Sequence, residues 1–413
     1  MKKYIFALII LLPFFAGCKK ASGPEAATID DGRMRFSADF SITKSHFEND
    51  SSPQLLWDLT DRIAVYSKQA FDSFMDDDHF LGSIAEAIDI SEIASGGLTA
   101  TFEATTPKTD WFPEGNPFTP EQYTDIKEDD MPFVQALYNA WINSYVFFAY
   151  YPCTGEPGGF ETFSIARPAD PDHPDPTPEL YQYIPMSVSA VQDGASYSEY
   201  QILYDPGYPE SDGDPSETLI SKTDIMANPT ASVSFNFRPV TSMLRFTLQL
   251  PSGSAKKTLS NIKISIEGDS DQNSIAGDAM LMLFQYGAKD ALPISMEKSN
   301  HVNYLWPAAS GNTSITISEE QEVSSTPGNY LYAVMIPFHT TNSDVKIRFS
   351  AKDANDVTYA SVRKVPLCFA GEHEYDYSYY GFREGYRYNA AVTLYPTTDP
   401  LADNAGSYIE DEW

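Results

Sequence analysis

Apolar and polar residues alternate with a period of two over much of this chain. Phe36, Ala38, Phe40 and Ile42 alternate with polar neighbours across the stretch Met34 to Ile42, as in a strand with one buried face. A polar connection from Thr43 to Ser52 follows, then a short apolar run containing Trp57. After Asp61, Ile63 and Val65 resume the alternation up to Tyr66. Two short strands around a solvated loop predict a β-sandwich edge and a return into the sheet. Val146, Phe148 and Tyr150 predict another strand, ending at Tyr151-Pro152.

The second half is more regular. Val233, Phe235 and Phe237 alternate, then Leu244, Phe246, Leu248 and Leu250, then Ile262, Ile264 and Ile266. Ile315 and Ile317 follow, then Tyr330, Tyr332, Val334 and Ile336, then Val345, Ile347 and Phe349. Tyr388, Ala390, Val392 and Leu394 close the series. Runs of this kind between Gly, Asn, Asp and Pro turns predict antiparallel sandwiches. No parallel α/β pattern appears, and the expected fold class is all-β. The helical signals are short. Thr119-Pro120-Glu121-Gln122 has the form of a capping box, and Val134, Leu137, Tyr138 and Trp141 give a second amphipathic turn. Two proline- and acid-rich stretches, 167–178 and 205–217, read as long surface loops.

The first residues change the picture by giving the chain an address. Lys2 and Lys3 precede an apolar run from Tyr4 to Phe15, and Phe15-Ala16-Gly17-Cys18 ends it. This pattern predicts a lipoprotein signal over 1–17, with Cys18 as the acylated first residue of the mature protein. A transmembrane helix needs about 20 apolar residues, more than this run holds. The expected organisation is a tether over 18–33, an N-terminal β-sandwich domain over 34–228, a C-terminal one over 229–396 and an acidic tail over 397–413. Lipid on Cys18 would anchor the protein to a membrane without spanning it, and the expected location is the outer membrane at the cell surface.

The formal net charge of −31 repels phosphate backbones and argues against nucleic-acid binding. Cys153 and Cys368 lie in different halves, each near aromatic residues, and read as buried free thiols.

Several motifs, in order, carry a family resemblance: Phe36 to Phe40 with Thr43-Lys44, Trp57 and Asp61-Arg62-Ile63-Ala64-Val65-Tyr66. Tyr145 to Pro152, an aromatic strand ending in Tyr-Pro, comes next, then Asp224-Ile-Met-Ala227. Val233 to Phe237 and the strand to Leu250 follow, then Phe382-Arg-Glu-Gly385-Tyr-Arg-Tyr388 leading to Leu394. The chain resembles the fimbrillins, the subunits and relatives of type V pili on Gram-negative cells. It departs from them at Arg238, where relatives commonly carry histidine. The resemblance implies two transthyretin-like β-sandwich domains, a structural or adhesive role as a pilus (fimbria) component, and other fimbrial subunits as partners through strand exchange or edge pairing. Surface glycans or proteins of a host or another microbe are further expected partners.

No catalytic constellation stands out, so no enzyme activity is expected. His-Glu-x-x-His, a phosphate-binding glycine loop and a nucleophile elbow are all absent from the sequence. No two of the six histidines stand at zinc-binding helical spacing. Asp269-Ser-Asp271-Gln-Asn273 imitates the start of a calcium loop, but Ser274 and Met280 occupy the positions that need Gly and Glu. No cofactor or metal is therefore expected. The remaining binding candidates are Tyr375, Tyr377, Tyr379 and Tyr380, a crowd suited to stacking on sugar rings or a protein partner. They carry the alternative reading, a surface glycan-binding lipoprotein. The plainer reading of the same spacing is a strand with one face buried.

In the stalk subunits that the chain resembles, proteolysis after the first strand removes it, and a neighbour's strand fills the groove. In the corresponding loop, Thr43 to Asp61, Lys44 stands as the candidate processing residue and no arginine occurs. The tail offers Leu401, Tyr408 and Ile409 among five acids, a poor pattern for burial in a groove. Both features point to an accessory protein of the tip or anchor, with Met34 to Ile42 kept in place.

Overall fold

The computed structural model describes residues 32–40, 57–67, 82–89, 99–107, 144–145, 147–155, 161–165, 179–195, 197–205, 220–221, 232–268, 274–286, 305–308, 311–369, 379–397 and 409–412. These residues are almost wholly strands, numbered below in chain order. The helical turn among them is a 3₁₀ turn at Ser198–Tyr200. The expected helices near 119–141 and the loop 167–178 lie outside the described residues, as does most of the loop 205–217.

Seven strands close into a barrel in the order β1 (Arg33–Phe40), β12 (Ser232–Pro239), β10 (Leu203–Asp205), β6 (Phe147–Tyr151), β2 (Arg62–Ser67), β3 (Gly82–Asp89) and β4 (Thr99–Pro107), which pairs back to β1. Closure leaves these strands no free edge. The stretch Val233 to Phe237, from the half expected to form the second domain, thus lies in the first sheet beside β1. The barrel interior holds Met34, Phe36, Ala38, Ile63, Val65, Phe102, Phe147, Phe235 and Phe237, all buried.

Outside β2, β6 and β10 lies a four-stranded sheet of β7 (Glu161–Ile165), β8 (Glu179–Val188), β15 (Gly277–Tyr286) and β16 (Leu305–Pro307). Ile184, Val188, Ala279, Leu281 and Leu305 from this sheet cover Tyr66, Phe148, Tyr150 and Tyr204 on the barrel wall. This explains why β6 is buried on both faces rather than the one that alternation predicts. Phe147 and Ala149 point into the barrel, and Phe148 and Tyr150 point to the covering sheet. Cys153 lies in the same outer cluster as a buried free thiol, as expected.

The C-terminal part is a sandwich. One sheet has the order β19 (Tyr330–Met335), β13 (Ser242–Gln249), β25 (Tyr386–Thr393), β27 (Ile409–Glu412). The other has the order β26 (Tyr395–Pro396), β22 (Thr358–Lys364), β21 (Lys346–Asp353), β14 (Lys257–Glu267), β17 (Ser314–Ile317), β9 (Val191–Gln192), with β18 (Gln321–Val323) also on β14. Leu244, Phe246 and Leu248 meet Ile262, Ile264, Ile315, Ile347 and Phe349 between the sheets, together with Tyr388 and Val392. Smaller pairings complete the set: β5 (Ser144–Tyr145) with β11 (Ile220–Ser221), and β20 (Phe338–Thr340), β24 (Tyr379–Phe382) and β23 (Leu367–Phe369). Pairing is antiparallel throughout the described residues except for β1 with β12, β13 with β25 and β9 with β17.

β19 reverses its expected inner face. Leu331, Ala333 and Met335 face the sandwich core, whereas Val334 and Tyr332 lie against the barrel cluster. The strand is a shared wall, so its alternation does not identify one inside.

Candidate assembly site: the seat of the first strand

The first strand is held on both edges. β1 runs parallel to β12, with Phe36 opposite Val233 and Ala38 opposite Phe235, and antiparallel to β4, with Phe36 opposite Phe102. Met34, Phe36 and Ala38 point inward and are almost fully buried, and Phe36 stacks on Phe235 with ring centroids 5.5 Å apart. On the outer face Arg33 and Arg35 each reach one carboxylate oxygen of Glu103 on β4, both at 3.2 Å. The Ser37 and Ser234 hydroxyls share a hydrogen bond of 2.9 Å between β1 and β12. The seat therefore combines two ladders of backbone bonds, an apolar interior row and a polar exterior row.

Trp57 joins this interior as the chain returns toward β2. It is buried, with its ring edge-on to Phe102, Tyr151 and Phe237 at 5.1–5.4 Å. A turn at Asp58–Asp61 sets its position. The Asp61 carboxylate accepts from the Asp58 backbone at 2.6 Å and from the Tyr151 phenol at 2.9 Å. Burial pushes the Asp61 carboxyl above the usual aspartate range, despite the opposing pull of both hydrogen bonds. Burial likewise pushes the Tyr151 phenol upward, reinforced by the Asp61 charge.

The arginines flanking the first loop lie in strands. Arg33 and Arg35 belong to β1. Arg62 opens β2, its carbonyl accepts the Cys153 backbone N–H at 3.1 Å, and its guanidinium lies 3.3 Å from Glu86. Lys44, Cys18 and the tether lie outside the described residues.

The four tyrosines expected as a binding surface are only partly described. Tyr379 and Tyr380 lie in β24, and Tyr380 is half-buried against the sandwich core; Tyr375 and Tyr377 lie outside the described residues. In the tail, the backbone of Ile409–Glu412 forms β27 on the edge of β25, with Asn389 opposite Ile409 and Tyr386 opposite Glu412. The unfavourable apolar pattern of the tail thus does not prevent strand pairing within the same chain. Among the described residues, no group of three or more His, Cys, Asp or Glu could hold a metal ion.

No family model matches the chain, and no curated protein does. Solved structures do. A candidate cell adhesion protein from Bacteroides uniformis aligns over 93% of this chain and 100% of its own length, at 14% identity and a TM-score of 0.41. One from Bacteroides ovatus aligns over 92% of this chain and 96% of its own, at 12% identity and a TM-score of 0.41. The tip fimbrial protein Mfa3 from Porphyromonas gingivalis, with C-terminal truncation, aligns over 92% of this chain and 99% of its own, at 11% identity and a TM-score of 0.32.

Proposed function

We propose that this chain is a fimbrillin-like cell-surface lipoprotein with a structural and adhesive role, anchored to the outer membrane through Cys18. In this reading it is an accessory component of the tip or anchor of a fimbria, and it retains its first strand. The family part of the reading rests on the ordered motifs from Phe36 to Leu394. The accessory part rests on one observation: β1 is paired along both edges, and Arg33, Arg35 and Arg62 all lie in strands. An arginine-specific protease would have to cut inside paired backbone to release β1. Partners then meet the protein through exposed strand edges or loops rather than through an emptied β1 groove. Immunogold electron microscopy of cells with and without the protein tests this. Label at fibre ends or bases is expected; label repeated along the shaft would overturn it.

A further inference from the structure

In the C-terminal sandwich β19 is the last strand of one sheet, and β17 is the last strand of the other apart from the two-residue β9 that pairs with it. Edge strands expose unpaired backbone groups, which natural folds cover. Here residues 189–195, which follow β8 of the covering sheet, lie across both edges. The Thr316 and Ser318 N–H groups on the β17 side donate to the carbonyls of Ala190 and Gln192, each at 2.8 Å. On the other side the Tyr332 N–H donates to the Gly194 carbonyl at 2.9 Å. The Gln192 side chain completes the set by imitating a strand. Its amide N–H donates to the Val334 carbonyl at 2.7 Å, and its amide oxygen accepts the Val334 N–H at 2.9 Å.

Side-chain choice within the segment follows from this position. Ala190 packs on the sandwich core, Gln192 is 1% exposed, and Gly194 is buried, whereas Val191 between them is 58% exposed. A Cβ on Gly194 would lie 2.6 Å from Ile317 Cγ2 and 3.4 Å from Leu331 Cδ2, and its φ of +82° suits glycine. The site thus takes a small residue, an amide and a glycine at alternate positions, and an apolar strand would leave the Val334 backbone groups without their partner. Only two residues of the segment form regular strand pairing, β9 on β17. The flanks of the segment are buried outside the sandwich core. Val188 of β8 before it lies in the cluster under the covering sheet. Tyr197 after it lies in the barrel cluster, where it meets the barrel-facing Tyr332 of β19 with centroids 5.5 Å apart.

We propose that the cleft between β17 and β19 is a strand-acceptor site specific for the pattern small–Gln–Gly, filled in cis by residues 189–195 and open to the same segment of a second copy of this chain when the cis segment leaves. The proposal does not depend on the fimbrial reading. It is tested with the full chain and a fluorescent peptide of residues 187–195. Gly194→Val expels the cis segment by the clash with Ile317 and leaves every acceptor residue intact. The peptide should bind this variant at least tenfold more tightly than it binds the wild type, where the tethered segment competes at an effective concentration of order millimolar. A peptide with Gln192→Ala should bind neither. Equal peptide binding by the folded variant and the wild type, or undiminished binding of the Gln192→Ala peptide, would overturn the proposal. Should the variant fail to fold, hydrogen exchange on the wild type decides. Amides of Thr316, Ser318, Tyr332 and Val334 should exchange together, faster than those of Phe246 and Ile264. Exchange of the four at unrelated rates, or only together with the core, contradicts a detachable segment.

Discussion

Tyr151, the last residue of β6, donates its phenol to the Asp61 carboxylate at 2.9 Å, tying that strand to the turn that begins β2. Burial raises the Asp61 carboxyl, so its neutral form favours the folded state. That contribution is full below the unfolded aspartate value of about 3.9 and is lost as pH rises through the folded value. The Tyr151 bond offsets part of the cost of the buried charge. Tyr151→Phe should therefore destabilise the protein at neutral pH by about 1.5 kcal/mol, the low end for a hydrogen bond to a charged group. The difference should shrink as the pH is lowered through the raised Asp61 value, because a neutral carboxyl accepts more weakly. Denaturant unfolding from neutral to acid pH checks both points.

The seat of β1 combines charge with apolar packing, and the magnitudes rank them. Arg33 is exposed and Arg35 partly so in their pairs with Glu103, and such pairs contribute about 0–1 kcal/mol. Phe36 is fully buried among Phe147 and Phe235, and truncating such a side chain costs about 3–5 kcal/mol. Glu103→Gln should therefore leave the unfolding midpoint nearly unchanged, and Phe36→Ala should lower it sharply. Equal effects in denaturant unfolding would mean that charge, not packing, seats the strand.

Phe246 performs the corresponding service in the sandwich, fully buried with its ring centroid 5.4 Å from that of Phe349. Phe246→Ala should cost about 3–5 kcal/mol in denaturant unfolding. A loss below about 1 kcal/mol, typical of surface sites, would contradict this packing.

These residues also show how much of the fold was legible in the sequence. Met34 to Ala38 bury one face, so alternation identified both strand and inner face there. In β13 it identified Leu244, Phe246 and Leu248 as the inner face, although Thr247 opposite them is buried too. In β6 and β19 a second layer covers the other face, and periodicity within one strand carries no information about a distant covering sheet. The parallel placement of β12 beside β1 is likewise a matter of topology. Residues 189–195 were illegible for a different reason. Ala190, Gln192 and Gly194 are small or polar, and their burial depends on hydrogen bonds to β17 and β19 rather than on apolar pattern. Of the candidate site residues, Tyr380 proved to be half core, while Cys18, Lys44, Tyr375 and Tyr377 lie beyond the described residues.

Asp353 gives a prediction of opposite sign to Asp61. Lys257 donates to its carboxylate at 2.8 Å, and the backbone N–H groups of Asn355 and Val357 donate at 2.9 Å and 3.1 Å. The Lys257 bond foremost holds this carboxyl below the usual range, and the same bond pushes the Lys257 ammonium up to about 12. A depressed folded value means stability that is present above the unfolded aspartate value and is lost as pH falls through the folded one. Asp353→Asn should lower the thermal midpoint at neutral pH and converge with the wild type in acid. A constant difference across that range would show that charge at Asp353 contributes nothing.

Retention of β1 is the claim on which the accessory role depends, and intact-mass spectrometry of the protein purified from its native cells tests it most directly. The account predicts a mature chain that begins at lipid-bearing Cys18 and still contains Arg33–Phe40. A mature N-terminus between Thr43 and Asp61, accompanied by a detergent-resistant ladder of subunits, would contradict it.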